Sequence, residues 1–460
     1  MSEIKFGTDG WRAITDKDFN DINVEKATKA IAKYIADNFG TEKKIIIGFD
    51  PRRKADYFAK LSADIFKESG FKVLLSDKVV ATPVLAYSAK AMNACAVMFT
   101  ASHNPPEYLG MKFIPDYAGP ATSEITAEIV SDIDKPCPKS ENGSVELYSF
   151  DEIYTEHIEK LIDFNLIEKS DIKINYDALH GAAGKIFTKI LDMHNIKYNA
   201  ENLDYDTNFG GKLPEPAERF LSELKQKCKE TENIGFSNDG DGDRFALIDE
   251  NGNFTTANEV ILILLKHLSE NKKLTGKLIK TVAGSRMLDI FAKKSNIEVV
   301  ETPVGFKWVG KAMRENKIII GGEESGGLSI QGHIPEKDGI LANLLIIEAK
   351  AYYEKNITEL RKDILSAVGC EFINRRNDIK LQNDEIVKEA MVKFENTEKI
   401  GNYKIVSKNH ADGIKLYLDD EHSCILVRKS GTEPLLRIYF ESDSENKIEE
   451  LKSAVENLLK

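Results

Sequence analysis

The chain has 460 residues, 42% apolar and 30% charged, the balance of an ordinary globular protein with material for roughly three packed domains. Its net charge of −12 argues against non-specific nucleic-acid binding and requires any anionic ligand to meet a local positive patch. Five scattered cysteines without CxxC spacing, no apolar signal core and no run near the ~18 residues of a membrane span lead us to expect a cytoplasmic chain with no disulfide framework, zinc site or membrane partner.

In chain order, Val24, Ala27, Ile31 and Ile35 keep one face of a helix, as do Phe58, Leu61 and Ile65, whose helix closes at Gly70. Between them, residues 44–48 form a β-rich run leading into Phe49-Asp50-Pro51-Arg52. The apolar run Ala96, Val97, Met98, Phe99 predicts a buried strand, ended by Asn104-Pro105-Pro106 because proline lacks the amide donor a sheet needs. Ser102 then falls at a strand's carboxyl end, where open α/β sheets place ligands. By itself it reads equally as a turn cap or as a nucleophile. Neighbours on a strand point to opposite faces, so His103 is not expected to serve Ser102 as a base. His180 and His333 read as structural histidines.

The polar, proline-bearing "DKPCPKSENGS" at 134–144 predicts a linker near 145. Further strands are expected at 172–176, leading into "HGAAG", at 233–236, leading into "NDGDGDR", and at 318–320, leading into "GGEESGG". Turn residues Asp249 to Gly252 suggest a boundary near 250. Strands alternating with helices argue for a doubly wound α/β unit repeated about three times. The last quarter differs: four short strands and a helix bearing Ile448, Leu451, Val455 and Leu458 predict an α+β unit beginning near 366. The expected domains are 1–145, 146–250, 251–366 and 367–460.

Asp239, Asp241 and Asp243 alternate with glycines. In an extended segment they share one side, and three converging carboxylates need a cation. All-oxygen donors favour a hard ion such as Mg²⁺. A calcium loop is the rival reading, but it needs glycine where Arg244 stands and helices where the flanks look like strands. A solvated acidic loop is the bland one. "VRKSGTEPLLR" at 427–437 places Arg428, Lys429 and Arg437 beside Ser430, Gly431 and Thr432, which suits a phosphate better than a charged hairpin. Glu323 and Ser325 in "GGEESGG" suit sugar hydroxyls, although such clusters are common in turns. "GFKWVGKA" at 305–312 fails as a phosphate loop for ATP, because Ala312 replaces the required Ser/Thr.

Taken together, "FGTDGWR" (6–12), "TASHNPPEYLGMK" (100–112), "DGDGDR" (239–244), "GEESG" (322–326) and "RKSGTEPLLR" (428–437) resemble, in identity, order and spacing, the α-D-phosphohexomutase superfamily. The resemblance covers essentially the whole chain. It implies three related mixed-sheet α/β domains plus a C-terminal α+β domain around a central cleft. It makes Ser102 the phosphoserine, with Ser102, Asp239, Asp241 and Asp243 as Mg²⁺ ligands and Lys112, Arg12 and Arg244 at the reacting phosphate. His103, Gly305, Glu323, Ser325 and Lys337 would contact substrate, and Arg428, Ser430, Gly431, Thr432 and Arg437 would grip the phosphate that is not reacting.

The implied reaction interconverts α-D-glucose 1-phosphate and glucose 6-phosphate through glucose 1,6-bisphosphate, which must turn over in a cleft closed to water. "ETPVGFKWVG" (301–310), "GHIPEKDGI" (332–340) and Gly327, where other branches often carry histidine, look closest to the phosphoglucomutase branch. A phosphomannomutase, a dual-specificity enzyme and, further off, a phosphoglucosamine mutase are the alternatives within the family. Outside it stand a serine-nucleophile phosphatase and a sugar-phosphate-binding protein that has lost catalysis. The expected partners are sugar phosphates only, with the chain a monomer or weak homodimer.

Overall fold

The computed structural model describes residues 4–7, 9–430 and 434–459. Four sheets follow one another along the chain, seven-, five-, four- and six-stranded. The first three mix parallel and antiparallel pairs and carry helices, and the fourth is antiparallel with two helices. This is the α/β plus α+β architecture that the resemblance implied, with one unit more than chain length suggested.

Local chemistry explains the elements of the first sheet. Asn20 caps the helix Asp21–Phe39 by accepting from the Asn23 amide, and Val24, Ala27, Ile31 and Ile35 are buried. The strand Lys44–Phe49 lies between Ala94–Phe99 and Lys72–Ser76, parallel to both. Ala94–Phe99 is buried along its whole length, as a strand covered on both faces requires. Tyr108–Ile114 returns antiparallel beside it, and Gly10–Ile14 adds to the far side. These pairings put Arg12, the Ser102 loop and Lys112 at one end of one sheet.

The sheets overrun the expected boundaries by a few residues. Ser144–Tyr148 pairs with Lys72–Ser76 in the first sheet, and Phe254–Thr255 pairs with Phe245–Ile248 in the second. The stretch read as a linker therefore runs along the first domain, where Ser140 donates to the Glu68 carbonyl.

The second and third domains share one apolar core around the helix Gly339–Tyr353. That helix is apolar on every face, with Ile340, Leu341, Leu344, Leu345, Ile346 and Ile347 all buried, the pattern of a helix enclosed by protein. Asp338 caps its start, accepting from the Leu341 amide at 2.8 Å. Lys337 thereby sits at the head of a rigid pillar. The fourth domain has its own core of Val387, Phe394, Leu416, Leu436, Ile448 and Leu451. Among the described residues no helix is long and apolar enough to cross a membrane.

Candidate active site

Ser102 does not sit on a strand. It lies in the turn after Ala94–Phe99 with φ of 53°, in the left-handed region that non-glycine residues rarely adopt. The turn overturns the argument about His103, whose Nδ1 lies 3.3 Å from Ser102 Oγ. Burial, followed by the charges of Arg244 and Arg12, pushes the His103 imidazole down to about 3. It is therefore neutral at physiological pH.

The aspartate segment is not extended either. It is a turn joining the antiparallel strands Ile234–Asn238 and Phe245–Ile248, closed by the Gly242 amide on the Asp239 carbonyl. The turn gathers all three carboxylates, whose nearest oxygens lie within 4.8 Å of one another, fully buried. A side chain at Gly240 would start 2.6 Å from the Ser102 carbonyl oxygen, so glycine there lets the two turns meet. Ser102 Oγ donates to Asp239 Oδ2 at 2.7 Å.

Lys112 lies between these carboxylates, its Nζ 2.9 Å from Asp241 Oδ2 and 2.9 Å from Asp243 Oδ2. Two residues that sequence reasoning did not single out complete the group. Asp9 accepts from Lys112 at 2.8 Å and from Lys337 at 3.3 Å, and Thr82 donates to Asp241 Oδ2 at 2.7 Å. Asp9 stood inside the "FGTDGWR" motif; Thr82 carried no signal. Arg12 donates to Asn104 Oδ1 at 2.6 Å, beside the serine turn. The Arg244 amide donates to Asp239 Oδ1 at 3.0 Å, and its Nε is buried without a partner.

The electrostatics separate the carboxylates. Burial, then repulsion from Asp241 and Asp243, pushes Asp239 well up. Burial acts the same way on Asp241, but the Lys112 charge and hydrogen bonds from Thr82 and Lys112 outweigh it and hold this carboxyl low. Buried oxygens Asp241 Oδ1 and Asp243 Oδ1 have no hydrogen-bond partner. Unpaired buried carboxylate oxygens are costly, and an all-oxygen set of this kind fits a hard divalent cation.

The third domain brings Lys337 and Glu323. Lys337 Nζ lies 3.1 Å from Asp243 Oδ2, and Glu323 Oε1 accepts from the Gly305 amide at 3.1 Å. Ser325 is exposed at the tip of the same turn. The fourth-domain residues form a separate group. Arg428 and Arg437 face each other across neighbouring strands, Ser430 is buried, and Gly431 and Thr432 lie outside the described residues. Two cations directly opposed on a sheet repel, and Asp412 answers only one of them, accepting from Arg428 at 2.7 Å. Asp412 also accepts from the Val304 amide at 3.2 Å, which ties this group to the Gly305 side of the cleft.

Four family descriptions match the chain in succession: phosphoglucomutase/phosphomannomutase α/β/α domain I over residues 3–138, domain II over 152–252, domain III over 256–368 and the C-terminal domain over 375–458. A phosphoglucomutase/phosphomannomutase of Thermococcus kodakarensis is 31% identical over 97% of this chain and 96% of its own length. A phosphoglucosamine mutase of Clostridium beijerinckii is 29% identical over 99% and 98%. The crystal structure of a phosphoglucomutase/phosphomannomutase family protein from Burkholderia thailandensis, 20% identical, superposes with a TM-score of 0.86 over 100% of this chain and 97% of that one. Fold and matches together define a phosphohexomutase, an enzyme of the isomerase class. The chain belongs to the phosphoglucomutase/phosphomannomutase family of the α-D-phosphohexomutase superfamily.

Proposed function

We propose that this phosphohexomutase acts on glucose, converting α-D-glucose 1-phosphate and glucose 6-phosphate into each other with Ser102 as the phosphoryl carrier. The observation that carries the reading is the Ser102 hydroxyl, buried and donating to Asp239 beside a lysine and two further carboxylates. Phosphoryl transfer is mainly a matter of positioning and charge neutralisation, and this cluster offers both. The phosphoryl group on Ser102 passes to the free hydroxyl of the hexose phosphate as the Oγ–P bond breaks, and the hydroxyl proton returns to Ser102 Oγ, giving the 1,6-bisphosphate and free serine. After that intermediate turns over, Ser102 Oγ accepts the other phosphoryl group. Its departing proton has Asp239 Oδ2 within reach. Lys112, Arg12 and Arg244 balance the negative charge, while Arg428, Ser430 and Arg437 hold the phosphate at the other end.

Asp239, Asp241 and Asp243 are the residues that would hold Mg²⁺, whose charge would offset that of the transferring group. Glucose is favoured by the resemblance of "GHIPEKDGI" and Gly327 to the phosphoglucomutase branch; Lys337 packs against Gly327 in this structure. The names of relatives favour a second reading, glucosamine or mannose phosphate, with the same chemistry.

The test follows glucose 6-phosphate and free phosphate together, with Mg²⁺, glucose 1-phosphate and a trace of glucose 1,6-bisphosphate. Mannose 1-phosphate and glucosamine 1-phosphate run in parallel, with Ser102→Ala as control. Turnover fastest on glucose and abolished in the control is the expected result. Preference for another sugar keeps the carrier and corrects the substrate. Activity surviving Ser102→Ala overturns the carrier, and net phosphate release without isomerisation makes the chain a phosphatase.

A further inference from the structure

We infer that Arg52, with Asp50 and Thr100 behind it, is a positioning residue for phosphoryl transfer: it holds the Ser102 turn in the shape that presents the hydroxyl. The inference rests on Ser102 being the carrier. Left-handed backbone at a non-glycine residue is strained and persists only when its surroundings impose it. At the carbonyls of the Ser102 turn those surroundings centre on one side chain.

Arg52 is wholly buried, and a guanidinium has five N–H donors in a fixed plane. All of them are used. One Nη donates to the Pro105 and Tyr108 carbonyls at 2.8 and 3.0 Å. The other donates to the Ser102 and Asn104 carbonyls at 2.6 and 2.7 Å, and Nε donates to Asp50 Oδ2 at 3.2 Å. Four carbonyls of one turn therefore converge on a single planar cation.

Asp50 fixes that cation in turn. Its Oδ1 accepts from the Arg52 amide at 3.0 Å, and its Oδ2 also accepts from Thr100 Oγ1 at 2.6 Å. Thr100 Oγ1 then accepts from the Ser102 amide at 2.8 Å. Both backbone polar groups of Ser102 are thus tied to the same unit. The Phe209 ring of the second domain lies 5.0 Å over the guanidinium, covering one face. Lysine has the charge without the fork and cannot hold four carbonyls.

The experiment compares the wild-type chain with Arg52→Lys, Thr100→Val and Ser102→Ala. It reads phosphate on Ser102 by intact mass after incubation with glucose 1,6-bisphosphate, then kcat and KM on whichever hexose 1-phosphate is turned over. We expect Arg52→Lys to lower kcat about 100-fold and Thr100→Val about 10-fold, the scale of loss for a misplaced reacting group. KM should stay within about twofold, because substrate contacts are untouched. A wild-type chain that takes no phosphate on Ser102 overturns the carrier itself. A phosphorylated wild type with both variants at its kcat overturns the positioning role, as does a loss expressed in KM. Should Arg52→Lys fail to fold, the isosteric Thr100→Val decides.

Discussion

Glu323 is buried beneath the 321–327 turn. Burial pushes its carboxyl up to about 7, with Lys337 and Arg244 opposing and Glu324 adding to the rise. Against a sugar hydroxyl it is the stronger acceptor when ionised, which it becomes above that value. We therefore expect KM for the hexose 1-phosphate to fall as pH rises from about 6 to about 8, and Glu323→Gln to flatten that dependence while raising KM. A wild-type KM constant across the window would remove Glu323 from sugar binding. At this scale the sequence singled out candidate side chains, but not their neighbours. Thr82 meets Asp241 across 159 positions of chain, and a lone threonine before a proline advertises nothing of the kind.

The turn around Gly327 and the head of the helix Gly339–Tyr353 depend on each other. A Cβ at Gly327 would lie 2.4 Å from Lys337 Cδ and 2.7 Å from its Cγ. Lys337 has little room to yield, being nearly enclosed and held by Asp9 and Asp243. Gly327→Ala should cost about 1–3 kcal/mol in overpacking, read by thermal melting, and should lower kcat/KM by moving the ammonium. Full activity with unchanged melting would show that Lys337 has another place to go. Element types and approximate positions were legible from periodicity. Turn geometry was not: His103 and Ser102 were read as neighbours on a strand, and the aspartate segment was read as extended. The alternation Asp-Gly-Asp-Gly-Asp fits a strand's period of two, and the folded turn gathers the same carboxylates by another route.

Across the molecule, the fourth domain is pinned to the third by buried charge. Glu301 accepts from Lys280 at 3.1 Å, Lys415 at 3.0 Å, Tyr417 at 2.5 Å and Asn409 at 2.7 Å. Glu441 accepts from Ser285 and from the Arg286 amide at the head of the helix Arg286–Lys294. Glu301→Gln takes the carboxylate from buried Lys415 and leaves buried Lys280 with Asp289 alone, and we expect a loss of about 3 kcal/mol, seen in calorimetry as an earlier, separate transition of the fourth domain. Burial acts to raise Glu301, but Lys280, Lys415 and Tyr417 outweigh it and hold the carboxyl at about 2. A carboxyl depressed on folding stabilises the fold above its unfolded value of 4.5 and ceases to as pH falls from there through about 2. The wild type should therefore lose this attachment across that acid window and Glu301→Gln should not. A wild-type curve flat there would place the attachment elsewhere.

The sequence by itself determined the repeated α/β units, the α+β end and the motifs that mark the family, because periodicity, turn residues and spacing are local properties written along the chain. Only the tertiary structure decided which residues meet. It set Asp9 between two lysines, lodged Arg52 under the Ser102 turn, and stood Lys337 at the head of a buried helix. Such contacts join positions tens to hundreds of residues apart, and they are fixed by packing and by the need of every buried charge for a partner.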